Sequence, residues 1–579
     1  MQKLKQYAIA LLSITIVIGF SWAFFSTEFF RVHDYTHVAR IVEMRRSLDA
    51  GHIPVHWTQN FGFGYGMPLF LFYGPLPFYI ATSFTYLGTS ALMAMKLSFF
   101  FSGIVAFLGM YLLMRRFSHT AGLLAATLFF TAPYRAVDLF VRGALNEVWA
   151  IGFLPWLVYG GVQIQKNTTR GVAITAAATA AIILTHNLTA FMAIPVLGIF
   201  TVLWLWAEKR PAWKYTALFL LSGLLGTAMS LFYILPAFLE KQYTIIESIL
   251  TGYFNYQHHF LYIRQLIRPD WGYGGSEFGP NDGISFQLGV MALTLILVSL
   301  LFLFQALKSA WQQTHHMASL PLRFKKVLQR LPRKYAILVS AGILLALTLF
   351  MTLFHSQFLW DTLPLLNYIQ FPWRFLGVAI VLSSIIGGLA VSMITITPVR
   401  WIVGWMLVLL TVLTTWSYHR PESFLGDAND HYYTDTATIR NNMSSILPDY
   451  IPAGFDRDLP VVSEHERIQL DTVDSEFLEL TNPHQVLWLG TAPENTTVTW
   501  NIAHFPGWKY FINDTEISPT LLEDGRMQYF SENALSSAGA EFTMTPVRSI
   551  SLLVSIGAWI IWIALLLPKN ISKDRHAKF

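Results

Sequence analysis

The sequence predicts an α-helical polytopic membrane protein with about twelve spans and a C-terminal β-sandwich-like domain outside the bilayer. Three observations carry this. Hydrophobic residues make up 54% of the chain and charged residues only 13%, the balance of a polypeptide solvated by lipid. Apolar runs near the ~20 residues of one crossing recur along residues 7–418 and again at 547–568. Between 467 and 531 the pattern changes to short, often alternating segments separated by polar turns. The chain has no cysteine, which excludes disulfides, thiolate metal sites and a cysteine nucleophile. A net charge of +5 would suggest nucleic acid in a soluble protein. Here the basic residues sit in short loops, so membrane orientation explains them and no nucleic-acid partner is expected.

The runs lie near 7–25, 92–113, 119–133, 146–163, 170–186, 188–206, 214–235, 284–307, 335–354, 373–395, 400–418 and 547–568. The first contains Ser21-Trp22-Ala23, a small-x-small triplet, but apolar residues continue beyond the triplet and the run reads as a retained anchor. Segment 75–88 is too short to cross and begins with Pro75 and Pro77, so it reads as an interfacial helix. Lys3 and Lys5, Arg115-Arg116, the loops 166–170, 208–214 and 308–334, and the tail after 568 are all basic. Twelve spans put them on one side, together with both termini, and the positive-inside rule makes that side cytoplasmic.

Three long segments then face away from the cytoplasm: 26–91, 236–283 and 420–546. The expected organisation is a membrane module over 1–419 with interfacial helices at 34–90, a β-rich domain at 420–546, and a last span with basic tail at 547–579. Within the β-rich domain 467–472, 476–481, 485–489, 496–504, 508–513 and 527–531 read as strands, and Asn513-Asp514 as a turn. The expected shape is a small β-sandwich tethered by the last span.

Charge is nearly absent from the span centres and gathers at the ends away from the cytoplasm. Asp34 and His37 follow the first span. Asp138, Arg142, Asn146 and Glu147 lie between the third and fourth, and His186 and Asn187 cap the fifth. Arg264, Arg268 and Asp270 lie in the 236–283 loop, and Arg374 opens the tenth span in Phe371-Pro372-Trp373-Arg374-Phe375. Ionisable groups so close to hydrocarbon are costly and are functional candidates. Transporters tend to bind at the midplane, whereas this distribution suits a reaction at the water–lipid boundary. A lipid-linked sugar phosphate fits such a site. Its leaving group is already a phosphate, so one carboxylate suffices to take the proton of an acceptor hydroxyl. A glycosidase, by contrast, needs two carboxylates. Arginines would hold the phosphate and offset its developing charge.

An acidic residue just after the first span, followed by interfacial helices, resembles the GT-C class of polyprenyl-phosphate-sugar glycosyltransferases. That resemblance implies that Asp34 is the base or a metal ligand. A closer resemblance is carried by His33-Asp34-Tyr35-Thr36-His37, Gly51-His52-Ile53-Pro54-Val55-His56-Trp57, Gly62-Phe63-Gly64-Tyr65-Gly66-Met67-Pro68 and Phe72-Tyr73-Gly74-Pro75-Leu76-Pro77. These look like bacterial multi-span proteins of the "6-pyruvoyl-tetrahydropterin synthase-related" membrane family. Phe371-Pro372-Trp373-Arg374-Phe375, Leu447-Pro448-Asp449-Tyr450-Ile451-Pro452 and Phe505-Pro506-Gly507-Trp508-Lys509 extend the likeness over nearly the whole chain. The resemblance implies a bacterial cytoplasmic-membrane protein that glycosylates an envelope glycan, lipid or polymer. The family name carries no chemistry here, because the scattered histidines show no zinc-ligand set.

Each candidate also has a plainer reading. Asp34 would cap a helix beginning near 35, where Val38, Ile41, Val42 and Leu48 are apolar, a role worth about 1 kcal/mol. His37 would be a solvated interfacial histidine. Arg374 would anchor a helix end beside the aromatic belt. Arg264 and Arg268 would be solvated loop residues, Arg142 and Glu147 an internal pair, and Trp271 an interfacial aromatic. The functional reading makes Asp34 the catalytic base of an inverting transfer. It gives His37 to the acceptor, Arg264, Arg268 and Arg374 to the donor phosphate, and Trp271 to sugar stacking, with Arg142 and Glu147 also binding substrate. No cofactor or metal is expected: Glu28 and Asp34 match no strong metal signature. Residues 62–66 are glycine-rich but lack the Gly-Lys-Ser/Thr of a P-loop. The implied partners are a polyprenyl-phosphate sugar donor, a glycan or lipid acceptor outside the cytoplasm, and membrane lipid. Two other functions fit the same composition: a lipid-linked substrate transporter or flippase, and a non-catalytic envelope assembly protein whose β-domain recruits a partner.

Overall fold

The computed structural model describes residues 2–208, 211–314, 326–327, 329–426, 430–446, 448–463, 466–472 and 478–567. Arg323 and Lys325 of the basic loop, part of the 208–214 loop, the tail after 568 and residues 476–477 of the second expected strand lie outside the described residues.

Every expected span is helical. The helices are Gln2–Phe20, Ala91–Met114, His119–Phe130, Leu145–Gln163, Thr168–Thr185, Asn187–Ala207, Ala212–Met229, Val290–Gln312, Arg333–Phe350, Leu376–Met393, Thr397–Thr415 and Pro546–Leu566. Among the described residues, eight helices are long and apolar enough to cross a membrane, or up to ten if each of two bent pairs is one span. By length and composition, eight to ten of the twelve expected spans therefore qualify among the described residues. The apolar part of the first helix, Gln6–Phe20, is too short, and Leu145–Gln163 carries Asn146 and Glu147 in its first turn. His119–Phe130 bends by 42° into Pro133–Arg142, and Ala212–Met229 by 71° into Leu231–Leu239. The eighth span begins later than expected, at Val290, because Gly289 before it has a φ of +91°. The 75–88 segment forms the ten-residue helix Leu76–Thr85, too short to cross.

Polar caps start several helices where no backbone partner remains for the first amides. Ser90 accepts from the Met93 amide at 3.2 Å, Ser118 from Ala121 at 3.0 Å and Asn167 from Arg170 at 3.0 Å. The Pro372–Met393 span is the axis of the bundle, with 94% of its apolar window buried. Small residues let the helices approach closely. A Cβ at Gly387 would lie 2.5 Å from a Leu128 methyl, and one at Gly226 would lie 2.3 Å from the Ala176 carbonyl oxygen.

Nine strands follow among the described residues: β1 Ile468–Leu470, β2 Leu478–Asn482, β3 Gln485–Ala492, β4 Thr496–Trp500, β5 Trp508–Ile512, β6 Thr515–Ile517, β7 Thr520–Leu521, β8 Met527–Ser531 and β9 Leu535–Phe542. They form two antiparallel sheets, ordered β1-β4-β8-β7 and β2-β3-β9-β5-β6. Asn513 and Asp514, with φ of +47° and +61°, make the β5–β6 turn, the left-handed pair that a tight hairpin demands.

The sandwich is packed onto the membrane module as well as tethered by the last helix. Its core of Val486, Trp488, Trp500 and Trp508 is continuous with Trp57, Leu71 and Phe72 of the first long loop. Arg467 donates to the Gln59 and Gly64 carbonyls at 3.2 and 2.8 Å. Gly66, at φ +84°, sits so tightly on Trp57 that a Cβ would lie 2.5 Å from the indole nitrogen. The 62–66 glycine run is thus a docking turn. Buried Arg548 of the last helix forks onto Glu240 at 2.8 and 2.9 Å and donates to the Pro506 carbonyl at 2.8 Å.

Candidate functional site

One polar cluster is built where the bent pair ends. Asp138–Arg142 is a wide helical turn closed by Gly143 in the left-handed region. Arg142 donates to Asp138 and, at 2.8 Å, to Glu147 Oε2. Glu147 Oε1 accepts from the Tyr134 hydroxyl at 2.6 Å. Arg374 comes from the turn Pro372–Phe375, where the tenth span starts, and its Nε lies 3.7 Å from the same Glu147 Oε2. Two carboxylates and two guanidiniums are thus neutralised among themselves in a buried place, the arrangement that makes such charges tolerable. Arg374 also donates to the Ile369 carbonyl at 2.7 Å and to Gln370 Oε1 at 3.0 Å. Gln370 has a φ of +65°, a costly conformation for a side chain of its size.

The first loop is laced to this cluster by its backbone. The His33 amide donates to the Val141 carbonyl at 3.0 Å and the Asp34 amide to the Arg142 carbonyl at 2.8 Å. The His33 ring donates to the Tyr273 carbonyl at 3.0 Å. Asp34 is not a helix cap. The helix it precedes is His37–Asp49, its capping position is Thr36, and no side chain caps it. The Asp34 carboxylate has no hydrogen bond or ion pair to any described residue.

Asp34, Arg142 and Arg374 line one cavity of about 460 Å³. His33, Tyr73, His186, Lys241, Gln370 and Asp449 add to its polar wall. Phe191, Ile234, Phe238 and Leu365 form an apolar part. Phe238 and Leu365 are each more than three-fifths exposed, at 65% and 64%, so the cavity reaches the surface on that apolar side. Lys241 donates to the Tyr368 hydroxyl at 3.1 Å and has no ion pair among the described residues.

The remaining expected residues lie elsewhere. Glu147 stands behind the arginines. His37 is buried below the cavity wall, 6.0 Å from the Tyr73 ring and 3.3 Å from Arg40 Nη1; burial and Arg40 hold its imidazole well below the usual range. Arg264 is exposed and committed to the Pro280 carbonyl and Asn281 at 3.1 and 2.9 Å. Arg268 pairs with Asp270 at 3.4 Å on the surface. Trp271 stacks on Tyr418, 4.9 Å between centroids, away from the cavity. Lys241, Tyr368 and Gln370 carry no sequence signal of their own. Asp449 stood within Leu447-Pro448-Asp449-Tyr450-Ile451-Pro452, and that motif was the one signal pointing to it. Among the described residues, no three His, Asp or Glu side chains are grouped to hold a metal ion.

Residues 70–419, more than half of the chain, match the family model described as "6-pyruvoyl-tetrahydropterin synthase related domain; membrane protein". The chain belongs to this family. Within it, Arg142, Glu147, Lys241 and Arg374 fall inside the matched segment, and Asp34 and Asp449 outside it. Sequence comparison with curated proteins finds no match. Among solved structures, this family member is similar to the arabinofuranosyltransferase AftD from Mycobacteria, with a TM-score of 0.41 and 15% identity over 72% of this chain and 27% of that one. It is also similar to ArnT from Cupriavidus metallidurans bound to undecaprenyl phosphate, at 0.39 and 15% over 70% and 63%. A third is the Archaeoglobus fulgidus oligosaccharyltransferase, at 0.37 and 11% over 74% and 55%. The chain therefore spans about a quarter of AftD and under two thirds of the other two.

Proposed function

We propose that the cavity transfers a sugar from a polyprenyl-phosphate-linked donor to an acceptor hydroxyl at the membrane face away from the cytoplasm. The observation that carries this is the composition of one cavity: a carboxylate unpaired among the described residues, a buried arginine and an apolar side that reaches the surface. The prenyl chain would lie along Phe191, Ile234, Phe238 and Leu365, and its phosphate beside Arg374 and Lys241. Arg374 Nε has no hydrogen bond among the described residues, which suits it to an incoming phosphate oxygen. Arg142 holds Asp138 and Glu147 through its Nη1 and would position Arg374 through the shared Glu147.

Asp34 would take the proton of the acceptor hydroxyl as its oxygen bonds the anomeric carbon. The bond from that carbon to the phosphate oxygen breaks on the opposite face, so configuration inverts. The electron pair leaves with the polyprenyl phosphate, whose added charge Arg374 and Lys241 offset. Arg264 and Arg268 lie off the cavity and have no part in this step.

The test is full-length protein in liposomes supplied with undecaprenyl-phosphate-linked hexose or pentose and simple methyl glycosides. The expected result is release of polyprenyl phosphate with a new glycosidic bond of inverted configuration. Movement of intact donor across the sealed bilayer without release would contradict the proposal.

A further inference from the structure

Asp449 and Tyr450 line the same cavity as Asp34 and Tyr73, but they come from the segment that leads into the β-sandwich. That segment is fixed by backbone hydrogen bonds to another cavity-lining stretch. The Ile245 amide donates to the Ile451 carbonyl at 3.1 Å, and the Ala453 amide to the Tyr243 carbonyl at 2.8 Å. Tyr450 stacks on Phe72 with centroids 5.8 Å apart and planes 8° apart, and meets Tyr73 edge-on at 6.2 Å. An aromatic wall with a carboxylate beside it results. The Asp449 carboxylate has no hydrogen bond or ion pair among the described residues, and the Tyr450 hydroxyl has no hydrogen-bond partner among them. A partly buried carboxylate without a donor is costly. Water or a donor-rich ligand can satisfy it, because an ionised carboxylate accepts and never donates. A phosphate, which brings acceptors and negative charge, is excluded from this corner on the same ground.

We propose that Asp449 and Tyr450 recognise the acceptor, and that the acceptor is a polyhydroxylated ring. Its hydroxyls donate to Asp449 and its apolar C–H face lies on the tyrosine wall. One of its remaining hydroxyls is then presented to Asp34. This deepens the transfer reading and rests on it for the identity of the step, but sugar binding can be read without turnover.

The experiment is saturation-transfer NMR of full-length protein in nanodiscs with methyl hexopyranoside and methyl pentofuranoside as probes, run beside the donor-release assay. Wild type is expected to transfer saturation to the ring protons. Asp449→Asn is expected to lose at least fivefold of the signal at an unchanged or higher melting temperature, and Tyr450→Ala to lose as much at a lower one, because it also removes the stack on Phe72. In turnover, Asp449→Asn should raise the acceptor KM at least tenfold, with the donor KM unmoved. Signal that is absent in wild type, or unchanged in Asp449→Asn, overturns the inference even if transfer occurs. Asp449-dependent sugar binding without any donor release would uphold the acceptor wall and overturn the transfer reading instead.

Discussion

At Asp449 burial works against charge. Its carboxyl is pushed above the usual carboxylate range by desolvation, with Arg40 only partly countering. A carboxyl whose folded pKa is raised leaves stability intact below its unfolded value and removes it as pH rises through the folded value. Asp449→Asn should therefore melt higher than wild type at pH 7, with the gap closing below about pH 4, where both carry a neutral group. Thermal unfolding of the full chain across this range checks it; an equal gap at both ends would mean that charge is not the cause. Asp34 was legible because it follows an apolar run directly, where a charge is conspicuous. Its exclusion as a cap was not legible, because the helix start shifts by only two residues, to His37. Arg264 and Arg268 carry the same residue type as Arg374, and nothing local tells a committed surface guanidinium from a buried one.

The elements show where sequence patterns hold and where packing overrides them. β9 runs Leu-Ser-Ser-Ala-Gly-Ala-Glu-Phe and reads as no strand by propensity. It forms because its small residues fill the centre of the larger sheet between β3 and β5. The docking of the sandwich was equally hidden, since Trp57 and Trp508 meet edge-on across more than four hundred residues. Two predictions belong to this joint. Arg548→Ala leaves Glu240 buried without its partner and should destabilise the chain by about 3–5 kcal/mol, read as a lower melting temperature in detergent. At the same joint, burial with help from Arg548 and His52 pulls His56 down to about 3, and burial with help from His52 and His56 pulls His484 down to about 2. Their neutral forms contribute stability above pH ~6.5 that is lost as pH falls towards those values. Melting temperature should drop between pH 7 and 4, and the drop should be smaller in His484→Gln. An unchanged slope in that variant would remove the histidines from the explanation.

At the scale of the whole molecule, the site is assembled from parts far apart in the chain. The first loop brings Asp34, the third span's bent end Arg142, the 241–254 stretch Lys241, the tenth span's start Arg374, and the approach to the sandwich Asp449. The sequence shows that charges gather at one set of span ends, because each departs from its apolar neighbours. Which of them converge depends on helix bends of 42° and 71° and on a docked β-domain, neither of which any local pattern encodes. The positioning role proposed for Glu147 belongs to this assembly. Glu147→Gln leaves two buried guanidiniums with one carboxylate and should lower the melting temperature, and it should also raise the donor KM, because Arg374 would lose its carboxylate partner. A donor KM unchanged in that variant would detach the cluster from the phosphate.

The most direct measurement is donor turnover by Asp34→Asn in the same proteoliposomes as wild type. Loss of the base should cost about 10²–10⁴ in rate, with donor binding and melting temperature retained. Polyprenyl phosphate release at the wild-type rate would contradict the central claim.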